Sequence, residues 1–233
     1  MGCGYHGALG HGTEETIAVP KKIEKLDAFH VVRATGGGFH SFFETSCRRV
    51  FCCGRNVECQ LGLGDTLSRR EPTELFIEGV QVKSVALGFQ FSLILDSEGR
   101  LYGCGAVVDK WKTFKEVPHP SNKSFRKIDA GKDLFGALDE DGHLYTLYNG
   151  QRVLSEDVNT KGYKFEDFTC GETHFACVAD GKLFTFGDSY SGKLGRVTYG
   201  KGMDCVVNQF VQQKIRCVVP LAGSNHTFVI TDK

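Results

Sequence analysis

The chain has 233 residues, 28 acidic and 28 basic side chains and no formal net charge, so it lacks, over the whole chain, the basic footprint of a nucleic-acid or anionic-membrane binder. Hydrophobic residues make up 41%, enough for a substantial core at this length. No apolar run approaches the ~18 residues of a membrane helix, and no charged leader followed by an apolar stretch marks a signal peptide.

Residues 1–12, Met1-Gly2-Cys3-Gly4-Tyr5-His6-Gly7-Ala8-Leu9-Gly10-His11-Gly12, form a glycine-rich turn segment. Residues 13–28 read as a surface connection, and 28–34 and 40–45 as strands. Residues 49–53 lead into Gly54-Arg55-Asn56-Val57-Glu58-Cys59-Gln60-Leu61-Gly62-Leu63-Gly64-Asp65, a glycine turn with a Leu-Gly-Leu-Gly run. Residues 65–74, carrying Arg69, Arg70 and Pro72, are expected as a loop. Strands follow at 80–87 and 91–95. From Leu101 the glycine-rich turn is missing, and 106–115 with Trp111 stands in its place. Residues 124–130 and 135–138 read as strands. Val153, Leu154 and 165–170 are the apolar parts of a shorter stretch, and the turn returns at 192–195. The last strands are expected at 214–221 and 227–231. No segment of 12 or more residues shows helical apolar spacing, so the expected class is all-β.

Two landmarks repeat. A glycine precedes a His or apolar residue by three positions at Gly37, Gly88, Gly131, Gly171 and Gly223, in steps of 51, 43, 40 and 52. Turns at Asp96-Ser97-Glu98-Gly99, Asp139-Glu140-Asp141-Gly142 and Asp180-Gly181 each feed a strand; glycine supplies the positive φ that such hairpins need. The residues closing these strands, 2, 54, 105, 148 and 187, give the same period. Self-similarity at about 45 residues is the mark of a repeat architecture, and four short strands per repeat imply the blades of a β-propeller. The reading is one domain over 1–233, with units of approximately 1–53, 54–104, 105–147, 148–186 and 187–233.

Gly54-Arg55-Asn56, Gln60-Leu61-Gly62-Leu63-Gly64-Asp65, Pro72, Ser84-Val85-Ala86-Leu87-Gly88, Ser92-Leu93-Ile94-Leu95 and Gly99-Arg100-Leu101-Tyr102 closely resemble one repeat of the regulator of chromosome condensation family. The resemblance runs through all five units, strong in the second, fair in the first and fifth, faint in the third and fourth. The family's Trp before the turn glycine is replaced by Met1, Cys53, Cys104, Leu147 and Phe186, and Cys59 stands where the family has glycine. The resemblance implies a β-propeller: either five blades with an incomplete seam, or an open, partial ring of a larger propeller. The start within a motif favours the second. It also implies a non-catalytic scaffold for protein–protein interaction, in cytoplasm or nucleus. The other reading is guanine-nucleotide exchange on a Ran-like small GTPase.

No cofactor or metal is expected. His40, His174 and His226 occupy equivalent repeat positions, and imidazoles bonded to neighbouring backbone in each blade explain them better than a shared metal. The ten cysteines lack zinc-knuckle spacing and read as buried, reduced thiols. The Gly-x-Gly runs at 62–64 and 103–105 lack the strand-to-helix setting of a phosphate cradle. Candidate partner contacts are Arg69, Arg70 and Trp111. Arg48-Arg49 and Lys21-Lys22 read as basic pairs that face solvent or an acidic partner. Trp111 fits equally an exposed binding anchor and a filler for the missing turn.

Overall fold

In the computed structural model, residues 1–107, 109–148, 154–156, 160, 162–196, 202–207 and 216–232 are described, 202–207 by backbone alone. Expected strand residues Val153, Lys214 and 215 lie outside them. The chain divides into two compact units, Met1–Pro118 and His119–Lys233, each taken by itself below.

The first unit holds two four-stranded antiparallel sheets. One is β1 (Val31–Gly36), β2 (His40–Thr45), β3 (Val50–Gly54) and β4 (Arg69–Leu75). The other is β5 (Val82–Leu87), β6 (Phe91–Asp96), β7 (Leu101–Ala106) and β8 (Lys110–Val117). Each is a meander in chain order, so every strand pairs with its sequence neighbour. Two expectations are corrected here. The stretch 65–74 is a loop only as far as Ser68, because from Arg69 it pairs with β3, Val50 facing Leu75 and Phe51 facing Glu74. The stretch 106–115 likewise contains most of β8, with Trp111 opposite Gly105. Pro72 is a residue that sheet interiors exclude. It lies on the outermost strand, beside the point where the register slips between Cys52 and Gly54, and an edge tolerates proline's missing N–H.

The second unit repeats the pattern. Its sheets are β9 (Phe125–Ala130), β10 (Phe135–Asp139), β11 (Leu144–Leu147) and β12 (Ser155–Glu156), then β13 (Asp167–Cys170), β14 (His174–Ala179), β15 (Lys182–Gly187) and β16 (Gly202–Val207). A hairpin of β17 (Cys217–Ala222) and β18 (Thr227–Thr231) follows. Helical structure among the described residues is confined to short 3-10 turns, such as Glu24–Leu26.

Burial explains the strand composition. The second strand of each four-stranded sheet is largely buried, and β6 and β14 are buried at every position. They are correspondingly mostly apolar, with Ser92, Asp96 and His174 as their buried polar members, whereas the outer β8 alternates irregularly and is mostly exposed. Between the first two sheets, Phe42, Cys52, Leu61 and Leu75 meet Val85, Leu87 and Ile94. Between the next two, Leu134, Leu138 and Leu144 meet Phe168, Phe175 and Phe186, with the last two rings stacked at 4.9 Å. Ala176, Val178 and Leu183 then meet Cys217 and Val229. Cys52, Cys53, Cys59, Cys104, Cys170, Cys177 and Cys217 are buried, while Cys3 and Cys47 are exposed.

The five landmark glycines share one setting. The N–H of Gly37, Gly88, Gly131, Gly171 and Gly223 donates to the carbonyl three residues on, at 2.8–3.0 Å. A Cβ at Gly88 or Gly171 would fall 2.2 Å from Phe91 or 2.1 Å from His174, so these turns admit no side chain without shifting the ring beneath.

Candidate partner interface

The loop 55–68 positions the candidate contacts. Asn56 is its hub: Nδ2 donates to the Asp65 backbone oxygen (2.9 Å) and Oδ1 (3.0 Å), and Oδ1 accepts from the Leu61 N–H (2.9 Å). Fully buried Leu61 pins the loop into the core. Cys59 adopts φ +66° and Gly62 φ +68°. That left-handed setting accounts for glycine being the residue the resemblance leads one to expect at 59. The loop then runs onto the next sheet, where the Gly64 N–H donates to the Lys112 oxygen (2.9 Å) and Lys110 Nζ meets Glu58 Oε2 at 3.0 Å.

The three expected contacts have different roles. Arg69 braces the loop, with Nη2 2.6 Å from Asp65 Oδ2 and Nη1 donating to the Leu67 oxygen. This guanidinium, helped by the Leu67 N–H and Asn56, holds the Asp65 carboxyl below the usual range. Arg70, next on the strand and so directed to the opposite face, reaches Glu14 Oε1 from Nε at 2.9 Å and keeps a largely exposed side chain. Its backbone oxygen accepts from the Gly12 N–H at 2.9 Å, fastening the N-terminal segment along β4. Trp111 is half-buried on β8, with Lys115 Nζ 5.7 Å from its ring centroid. Loop 55–68 thus links Arg69's brace to the strand carrying Trp111, while Arg70 belongs to the N-terminal segment.

The histidines form seams between sheets. His40 Nε2 lies 2.8 Å from Ser92 Oγ, which donates to the Gln60 oxygen at 2.6 Å. His174 Nε2 lies 2.8 Å from Thr227 Oγ1, which donates to the Lys193 oxygen at 2.9 Å. Gln60 and Lys193 both precede a Leu-Gly pair, so the two chains of bonds are repeat equivalents. Burial depresses His40 to about 3 and His174 to about 4. Each imidazole reaches the backbone of the neighbouring loop through a hydroxyl of the next sheet, and His40 is also influenced by the Phe91 backbone. Exposed His226 lies 5.0 Å from Phe228. The sequence reading passed over Ser92 and Thr227. Their signal was available, since a hydroxyl follows the landmark position in the unit after each of these histidines.

Asp139, Asp141 and His143 place ligand-type atoms within 4.8 Å of one another, but their chemistry is that of a turn. Asp139 Oδ1 accepts from the N–H groups of Asp141 (3.0 Å) and His143 (2.8 Å), and its Oδ2 faces His143 Nδ1 at 3.2 Å. Asp96 does the same for Glu98 and Arg100, whose Nε sits 2.7 Å from Oδ2. Asp141 is paired with Lys123. Buried His119 points Nε2 at Asp139 Oδ2 from 3.8 Å. Its Nδ1 accepts from the Ser121 N–H at 2.9 Å, so Nε2 carries the proton and faces the carboxylate as a donor.

Comparison with known proteins agrees with this architecture. The family model described as the regulator of chromosome condensation (RCC1) repeat matches residues 1–43 and 49–95. The chain belongs to the RCC1-repeat family. The probable E3 ubiquitin-protein ligase HERC6 of Homo sapiens is 31% identical over 200 residues, which cover 83% of this chain and 17% of that protein. The ultraviolet-B receptor UVR8 of Arabidopsis thaliana is 29% identical over 197 residues, 83% of this chain and 38% of that protein. The chain thus spans well under half the length of these curated relatives. Human WBSCR16 superposes with a TM-score of 0.81 at 20% identity, over 98% of this chain and 65% of that one. Yeast RCC1 (Prp20), in its complex with Kap60, superposes with 0.82 at 20% identity, over 99% and 61%. At such identity the likeness shows the fold, an all-β propeller architecture of RCC1 repeats. Among the described residues no helix is long and apolar enough to cross a membrane.

Proposed function

We propose that this RCC1-repeat chain is a non-catalytic module for protein–protein interaction, with Trp111, Arg69 and Arg70 at the contact. The observation that carries the reading is Trp111: a half-buried indole on an outer strand, set beside Lys115. Large aromatic side chains of this kind anchor protein interfaces. Arg70 supplies an exposed cation, and Arg69 holds the loop between them in shape. The relatives differ widely in kind, a probable ligase and a light receptor among them, yet share this stretch as a minor part of their length. That fits a carrier of contacts better than a carrier of one reaction. The strongly shifted histidines are spent inside sheet seams, which supports the same reading. The whole of 1–233 is taken as one domain of repeats, working without cofactor or metal in cytoplasm or nucleus. The test is capture of partners by immobilised chain against the variant Trp111→Ala/Arg70→Ala. Loss of the captured set is expected, and its complete retention would remove these residues from the contact.

The second reading is nucleotide exchange on a Ran-like small GTPase. It is favoured by the structural likeness to yeast Prp20p, whose structure was described with its binding properties to Gsp1p and histones. Release of mant-GDP from a panel of small GTPases discriminates the two. Acceleration by catalytic amounts of the chain would displace the scaffold reading, and no response across the panel would retire the exchange reading.

A further inference from the structure

In the first unit a cleft of about 250 Å³ opens where the starts of β1 and β5 meet the β2–β3 turn, lined in part by Val32, Arg33, Glu44, Arg48, Val82 and Lys83. Its cations are unequally committed. Arg49, also in the lining, is held by Glu74 through two bonds and lies 4.5 Å over the Phe29 ring. Among the described residues Arg48 meets a neutral acceptor, Gln81 Oε1 at 2.8 Å, and no carboxylate. Arg33 Nη1 stands 3.8 Å from Glu44 Oε1, beyond hydrogen-bond reach, and that buried oxygen has no other hydrogen-bond partner. Lys83 is exposed and forms no ion pair among the described residues. Three under-used cations therefore surround one largely buried carboxylate, in a chain whose total charge is zero. Burial pushes the Glu44 carboxyl up, with Arg33 opposing.

We propose that this cleft receives an acidic side chain of a partner protein. The incoming carboxylate sits between Arg48 and Lys83, its methylene stem lies along Val32 and Val82, and Arg33 turns from Glu44 to complete the pairing. A protein carboxylate suits the cleft better than a nucleic acid. The apolar lining is aliphatic, with no ring on which a base could stack, and the neutral chain offers no extended phosphate track. The volume also falls below the ~300 Å³ at which drug-sized ligand sites begin, which matches a side chain. The proposal rests on the interaction reading for its kind of partner, but on none of the residues assigned to β4 and β8.

The test is fluorescence anisotropy on the full chain, with a short fluorescein-labelled glutamate-rich peptide and its glutamine counterpart as probes. The glutamate peptide should bind and the glutamine one should not. Arg48→Glu/Lys83→Glu should weaken binding at least about tenfold, while Glu44→Gln, which removes the competing carboxylate, should tighten it about threefold. Unchanged melting temperatures confirm that the variants fold. No binding of the glutamate peptide, unchanged affinity in the double reversal, or equal binding of a single-stranded oligonucleotide each overturns the proposal. Trp111→Ala/Arg70→Ala should leave peptide affinity intact. If that variant alone abolishes it, the cleft is wrong while the interaction reading stands.

Discussion

The seam at His40 and the seam at His174 are built on the same path, imidazole to hydroxyl to backbone oxygen, yet their surroundings differ. In the first, His40 and Ser92 are fully enclosed, and Gln60 supplies the carbonyl while its own Nε2 is buried without a partner. In the second, Lys193 supplies the carbonyl, and its buried ammonium bonds Thr173 Oγ1 (2.6 Å) and Asp188 Oδ2 (2.7 Å). Thr227 there is only half-buried. The repeat holds the backbone path fixed and lets the side chain at 60 or 193 vary. The first seam is enclosed and lined by uncharged side chains; the second is edged by an ion pair.

Acid is the strongest way to probe that difference. The unfolded chain protonates these imidazoles below about pH 6.5, whereas the folded chain resists until about 3 at His40 and about 4 at His174. Both contributions are complete above 6.5 and are lost as pH falls toward those values. For His40 the limit is on the order of 5 kcal/mol. Urea titrations from pH 7 to 3.5 should show stability falling throughout, with a shallower fall in His40→Gln. An equal slope in the two proteins would mean that this imidazole is already charged when folded.

Next in size, Ser92→Ala should cost about 3 kcal/mol, because it leaves His40 Nε2 buried and unpaired and the Gln60 oxygen with only the weak Cys104 thiol as donor. Thr227→Val should cost about 1–2 kcal/mol, since water can reach part of that seam. Chemical denaturation of the two variants side by side checks the ranking, and a larger loss for Thr227→Val would reverse the comparison. The smallest effect is expected at Arg70→Ala, under about 0.5 kcal/mol, because its pair with Glu14 is exposed. A thermal melt shifted by many degrees would show that the N-terminal segment depends on this pair.

Much of the fold was legible because its signals are local. Landmark glycines and Asp-Gly turns are fixed by φ and by the ring packed beneath, so their spacing reads directly as strands, and β2 and β18 fall where the sequence places them. What escaped was decided by pairing across the sheet. Nothing within Arg69-Arg70-Glu71-Pro72-Thr73 looks like a strand, and β4 exists because β3 offers it an edge. The site was less legible for the same reason. Arg69 looks like a free cation until Asp65 folds back onto it. Arg33, Glu44 and Lys83 come together from three strands, with no motif to announce them. The His-to-hydroxyl coupling was readable, because Phe91 and Leu134, which lack the imidazole, are followed one unit later by Phe135 and Phe175 rather than Ser or Thr.

The distribution of thiols gives the molecule a built-in reporter. Of the nine described cysteines, Cys3 and Cys47 stand in solvent, and a hydrogen bond from Thr45 makes Cys47 the readier nucleophile. Seven others lie beneath the sheets, where burial holds Cys53 near 12 and Cys52 higher still. A maleimide added to the native protein should tag the first pair within its mixing time and these seven at the pace at which neighbouring sheets part, so a mass spectrum taken over hours would record which seam breathes first.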